Sequence, residues 1–175
     1  MNALETFRRR KDDFFKHDPH SPLTPQQREV FNGLRYYPEN TALRFELAIE
    51  KFKQQRAVTL QTSTGDMAEF IRWGRIRFEV DGQRVALTVY ASTSGGGFFL
   101  PFMDTTNGSE TYAGGRYLEI DPLPDGRFVV DFNLAYNPYC AYNPYWSCPL
   151  PPKENRLKVP IRAGEMLPGE EWVEQ

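Results

Sequence analysis

The stretch IRWGRIRFEVDGQRVALTVYA, Ile71–Ala91, decides how the fold is read. Its apolar side chains alternate with charged ones, the period of a half-buried strand. Ile71 and Trp73 sit at odd positions, whereas Ile76, Phe78 and Val80 sit at even ones, so the apolar face changes parity across Gly74. One extra residue in a strand produces that shift, and glycine is a common seat for such a bulge. Asp81-Gly82 is a two-residue hairpin signal, after which Val85, Leu87, Val89 and Ala91 share one face of a return strand. A long hairpin bent by a bulge favours a barrel or a strongly coiled sheet over a flat one.

Working outward, Phe45, Leu47 and Ile49 alternate with Arg44, Glu46 and Glu50, although Phe45, Ile49 and Phe52 also fit a helical spacing. Val58, Leu60 and Thr62 form another alternating set, and Thr64-Gly65-Asp66 turns the chain. The cluster Ser94-Gly95-Gly96-Gly97 opens into Phe98–Phe102; it lacks the Lys-Ser/Thr of a phosphate loop and precedes a strand-like run, which suits a hairpin loop. Strands are expected near Arg116–Ile120 and Arg127–Asn133, joined by the turn Pro124-Asp125-Gly126, with a last one at Leu157–Ile161. Before them, Leu4, Phe7, Lys11, Phe14 and Phe15 trace one helical stripe, capped by Asn2 with Glu5 and closed by Asp18-Pro19. Thr24-Pro25-Gln26-Gln27 starts a second, short helix, with Gly33 as its end. The reading is a single domain over 1–175 of mainly β (α+β) class: an antiparallel β-barrel or sandwich of about six to nine strands. A helical segment, 1–35, packs on a β body, 40–165, and the C-terminal part is an irregular strap rich in Pro, Tyr and Asn.

Composition narrows the function classes. Hydrophobic residues make up 40% of the 175 and aromatic ones 14%, enough for a packed core. The net charge of −2 draws the chain neither to nucleic acid nor to an anionic membrane. The one basic run, Arg8-Arg9-Arg10-Lys11, is followed at once by Asp12-Asp13, as on a solvated helix face. There is no apolar run of signal-peptide or membrane-spanning length, so the expected location is cytoplasmic, where cysteines are mostly thiols. Cys140 and Cys148 are spaced C-x7-C, unlike zinc or thioredoxin motifs, and His17 and His20 lie far away in sequence. No metal and no cofactor is expected, and the cysteines are read as a close thiol pair or as buried apolar groups.

Three groups of polar residues could carry chemistry. Arg116 shares strand parity with Leu118 and Ile120, so its guanidinium faces the core and needs an anion. That anion is either an internal carboxylate such as Asp104 or the charged end of a ligand. Asp131 and Asn133 end an apolar strand on one face, either at a pocket mouth or in solvent. The long segment Leu100–Leu118 holds Asp104, Thr105, Thr106, Thr111 and Tyr112, which either converge with Arg116 or staple a surface loop. Serine-triad, zinc-protease, Walker and dinucleotide motifs are absent, so any hydrolytic chemistry would rest on carboxylates, with Asp104 and Asp131 as the natural pair.

The densest segment is DFNLAYNPYCAYNPYWSCPLPP, Asp131–Pro152, which says AYNPY twice and brings Tyr136, Asn137, Tyr142 and Asn143 beside the cysteines. Proline after each asparagine disfavours helix and removes sheet donors, so the segment is expected as an ordered irregular strap over the end of the strand that carries Asp131. This segment, together with SPLTPQQREVFNGLRYYP, PFMDTTNGSETYAGGRYLEI and the continuation to AGE at Ala163–Glu165, resembles the bacterial and archaeal family designated domain of unknown function 1684 over nearly the whole chain. The resemblance implies a single-domain extent and no chemistry.

Three functional expectations follow. The first is a pocket for a small, anionic organic ligand at one end of the barrel. Arg116, Asp131 and Asn133 would lie in its floor, with Thr106, Thr111, Tyr112, Tyr136, Asn137, Tyr142, Asn143 and Asn155 around it. The second is a hydrolase or isomerase using Asp104 and Asp131. The third is a module that docks another protein through its aromatic C-terminal segment. The small molecule is the expected partner, with nucleic acid and membrane excluded; the oligomeric state is open.

Overall fold

The computed structural model describes residues 1–169. The segment that opened the reading forms two strands of one antiparallel sheet. Its members are β1 (Arg44–Leu47), β2 (Glu50–Gln61), β3 (Met67–Val80), β4 (Gln83–Ser92), β5 (Phe98–Phe102), β6 (Arg116–Pro122) and β7 (Phe128–Asp131), in the spatial order β1-β7-β6-β5-β4-β3-β2. The parity switch is real: Arg72 faces Tyr90 and Gly74 faces Val89, which leaves Trp73 as the extra residue. Asp81 and Gly82 both take positive φ, 50° and 78°, as the hairpin turn between Val80 and Gln83 requires.

Gly74 has a second reason to be glycine. A Cβ there would stand 2.6 Å from Cγ2 of Ile49 and 2.8 Å from the carbonyl oxygen of Glu50, because the neighbouring chain crosses close over the bulge. Gly74→Val is expected to cost about 1–3 kcal/mol by overpacking, read as a lower urea midpoint with an unchanged slope.

The sheet curls into a half-barrel. Phe45 of β1 packs on Phe78 of β3, ring centroids 5.2 Å apart, although five positions separate these strands in the sheet order. Phe132 meets Phe45, Phe78 and Phe102 at 6.2, 5.3 and 5.4 Å, and Leu87, Val89, Leu100, Leu118, Ile120 and Val130 complete the interior. The concave side is therefore packed with rings and aliphatic groups, so the expected pocket at a barrel end finds no lumen there.

Two helices lie outside the sheet, packed on each other and on the irregular C-terminal segment. Helix α1 (Ala3–His17) begins with the Asn2–Glu5 capping box, and α2 (Pro25–Val30) begins with the Thr24–Gln27 box. Helix α2 stops at Val30, short of Gly33, which takes a φ of 116°. Phe15 of α1 is buried against Phe31, Tyr142, Leu23 and Leu34. Among the described residues no helix is long and apolar enough to cross a membrane.

The strand expected at Leu157–Ile161 is absent, though its alternation is visible: Leu157, Val159 and Ile161 are buried while Arg156 and Lys158 are exposed. Residues 103–105 give this segment only a few backbone bonds, from Leu157 to Met103 (2.7 Å) and from Thr105 to Val159 (3.3 Å), and side chains take over at Ile161. The amide of Ile161 donates to Asp104 Oδ2 at 2.6 Å, and its carbonyl accepts from Arg116 Nη2 at 2.7 Å. Pro160 has no N–H with which to extend a ladder.

Candidate functional site

The residues singled out in the sequence separate into structural polar clusters and the lining of one cleft. Arg116 is wholly buried, as its parity required. Its guanidinium donates to the carbonyls of Ile161 (2.7 Å), Ala163 and Glu165 (3.2 Å) and to Asp104 Oδ2 (3.4 Å), and it lies 5.2 Å from the Phe102 ring centre. Asp104 also accepts from Thr106 Oγ1 at 2.8 and 3.0 Å and from the amide of Ile161. Thr106 and Thr111 share a hydroxyl contact of 2.9 Å, and Asn107 donates to Thr111 at 3.0 Å. Of the two readings of Arg116, this geometry is the internal one: a clamp that fastens residues 161–165 to β5 and β6. The ligand-anchor expectation for Arg116, Thr106 and Thr111 yields to it, because protein carbonyls and Asp104 surround the guanidinium and none of the three lines the cleft described below.

Asp131 and Asn133 form a separate staple. Asp131 accepts from the amide and Nδ2 of Asn133 at 3.0 and 2.9 Å, and Asn133 exchanges bonds with the backbone of Asn40 at 2.8 and 2.9 Å. Asp104 and Asp131 share no hydrogen-bond partner, and the structure does not bring them together as an acid–base pair. Asn155 is equally engaged: it bonds the amide and carbonyl of Thr88 at 2.8 and 2.9 Å and the carbonyl of Pro101 at 2.8 Å.

The strap is fixed through Glu165, a residue that parity and spacing did not single out. This carboxylate is 2% exposed. It accepts from the amide of Asn137 at 3.0 Å, from the Tyr142 hydroxyl at 3.1 Å and from Lys11 of α1. Asn143 donates to the carbonyl of Pro22 (2.8 Å) and to Gln27 of α2 (2.9 Å), so the second AYNPY is tied to α2 and to the loop before it. Asn137, Tyr142 and Asn143 are thus anchors of the strap. The preceding residue, Gly164, hints at the junction: at φ 79° a Cβ would stand 2.6 Å from the Ala135 carbonyl oxygen.

Beneath the strap lies a cleft of about 760 Å³. Its helix wall is Phe7, Arg10, Lys11 and Phe14, one face of α1 at spacings of three, one and three. Its sheet wall is the outward face of β6, where Tyr117, Glu119 and Asp121 alternate with core-facing Leu118 and Ile120. The strap supplies Tyr136, Pro138, Tyr139, Trp146 and Cys148. Tyr139 and Trp146 meet edge to face at 5.3 Å, and the indole N–H is held by the Pro22 carbonyl at 3.2 Å. The polar groups are unevenly occupied. Lys11 is bound to Glu165, and Glu119 accepts the Tyr136 hydroxyl, whereas Arg10 has no ion-pair partner among the described residues.

Cys140 and Cys148 are free thiols. The amide of Cys140 reaches Cys148 Sγ at 3.4 Å, and the Tyr112 hydroxyl lies 3.6 Å from Cys140 Sγ. A hydrogen bond from the Cys148 thiol, helped by Tyr112, lowers the Cys140 pKa to about 6; the same bond pushes Cys148 up. Among the described residues no group of three or more His, Cys, Asp or Glu side chains could hold a metal ion.

A curled antiparallel half-barrel, backed by two capped helices and strapped by an irregular Tyr/Asn/Pro segment, is the class of domain these observations define. Residues 29–166 match the model of the family described as Protein of unknown function (DUF1684), and the chain belongs to that family. It is similar to an uncharacterized protein of Haloarcula marismortui whose structure was determined in solution by NMR. The identity is 36%, the match covers 93% of this chain and 91% of that one, and the TM-score is 0.71. No curated protein matches.

Proposed function

We propose that the protein binds a small organic ligand in the cleft under the strap, with an apolar body between α1 and β6 and an anionic end at Arg10. The observation that carries this reading is the cleft itself. Its volume falls in the range that buries small ligands, and its walls are mostly aromatic and aliphatic, with few charged groups at the rim. The site sits on the flank of the sheet rather than at a barrel end, because the concave side is filled. Arg10 replaces Arg116 as the anion-facing group, since its charge has no internal partner among the described residues.

Anilinonaphthalene sulfonate, an aromatic anion, tests this by its fluorescence on the folded protein, with decanoate and uncharged decanamide as competitors. One saturable site is expected, with decanoate displacing the dye better than decanamide. Phe14→Glu, which places a charge on the apolar wall, is expected to weaken dye binding at least tenfold. Arg10→Ala, at an exposed rim, should lose about two- to fivefold and abolish the preference for decanoate. Unchanged binding in Phe14→Glu would contradict the assignment of the cleft.

A further inference from the structure

The two sulfurs were placed beside each other by folding and not by a known motif. Cys140 lies in the short 3-10 turn Tyr139–Ala141, and Cys148 lies where the strap returns to the sheet. The carbonyl and amide of Cys148 are pinned by the Ser63 amide (2.9 Å) and hydroxyl (3.1 Å), and the Cys140 amide is turned onto the Cys148 sulfur. The intervening residues are anchored independently, through Asn143 and Trp146 to Pro22. Neither thiol is needed to hold the strap. Cys140 is half-exposed, Tyr112 presents a hydroxyl to it, and Cys148 borders the cleft, so small reagents reach the pair.

We infer that Cys140 and Cys148 are a redox-active dithiol, which low-molecular-weight disulfides oxidise to an intramolecular disulfide. The Cys140 thiolate attacks one sulfur of the reagent. The reagent's S–S bond breaks, a Cys140 mixed disulfide forms, and the departing thiolate takes a proton. Cys148, losing its own proton, then attacks the Cys140 sulfur and expels the second half as a thiolate. One disulfide is reduced to two thiols while two protein thiols become one disulfide, so electrons and protons balance. The polarity follows from exposure: Cys140, partly exposed beside the Tyr112 hydroxyl, is the nucleophile, and the buried Cys148 resolves it. This inference rests on the thiol geometry alone and stands whether or not the cleft holds a ligand.

The test incubates the folded full chain in glutathione buffers of graded ratio, followed by acid quench, alkylation and mass spectrometry. Wild type is expected to lose two hydrogens and carry no glutathione. Cys148→Ser is expected to accumulate one glutathione on Cys140, and Cys140→Ser to react at least tenfold more slowly. In wild type, the rate of iodoacetamide alkylation at Cys140 should rise with a midpoint near pH 6, against the ordinary thiol value of about 8.5. Wild type that stays reduced, or that accumulates only glutathione adducts, overturns the inference. That result needs no variant to fold, and it leaves the dye-binding result untouched.

Discussion

Replacing Arg116 with alanine is expected to destabilise the protein by about 3–5 kcal/mol, which for a chain of this length lowers the melting temperature by roughly 10 °C or more. The cost is not the loss of one ion pair. Arg116 satisfies three carbonyls, at Ile161, Ala163 and Glu165, as well as Asp104, all in a region without water access. Removing the guanidinium leaves a buried carboxylate without its cation and the carbonyls without donors, and both are expensive in a low-dielectric interior. Arg116→Lys keeps the charge but has no planar fork to reach several carbonyls at once, so it is expected to recover less than half of the loss. Thermal and urea unfolding measure both. A loss below about 1 kcal/mol would mean that the clamp does not hold the C-terminal segment.

Glu165→Ala is expected to be of similar size, about 3–5 kcal/mol, with a different signature. The carboxylate gathers Lys11 from the helix and Asn137 and Tyr142 from the strap, so its removal orphans a cation and two donors together. Helix α1 should loosen from the strap before the sheet unfolds, seen as faster amide hydrogen exchange in Ala3–His17 while β4 and β5 stay protected. Lys11→Met alone breaks the same pair from the other side. The double variant Lys11→Met/Glu165→Ala should therefore cost less than the sum of the singles, by a coupling of about 1–3 kcal/mol in a thermodynamic cycle. Additive costs would show that the two residues do not act on each other.

The fold was legible where the signal was local. The parity break at Gly74, the Asp81-Gly82 turn and the two capping boxes each depend on residues a few positions apart, and each appears as read. Alternation at Leu157–Ile161 was also legible as burial, but not as strand, because alternation reports which side chains are inside and not what pairs the backbone. Here the backbone of Met103 and Thr105 bonds Leu157 and Val159, and the side chains of Asp104 and Arg116 bond Ile161, all of them more than forty positions earlier. The candidate site was less legible for the same reason. Parity showed that Arg116 points inward but left its partner open, since an internal carboxylate and a ligand anion make the same demand of a guanidinium. The cleft needs three surfaces distant in sequence: the Phe7–Phe14 face of α1, the odd-numbered residues of β6, and the strap. The strap's irregularity was readable from its prolines; its expected place is over the end of the strand carrying Asp131, whereas Tyr136 pairs with Tyr117 of β6. That the space beneath it opens on the convex flank depends on the concave side being filled by Phe45, Phe78, Phe102 and Phe132.

The ligand cleft is tested most directly by a heteronuclear NMR titration of the folded protein with decanoate. The account predicts saturable shifts confined to the indole N–H of Trp146, the amides of Phe7–Phe15 and those of Tyr117–Asp121, with the interior residues Leu87, Val89 and Leu100 unmoved. Saturable shifts centred elsewhere, or none up to the solubility limit of decanoate, would contradict it.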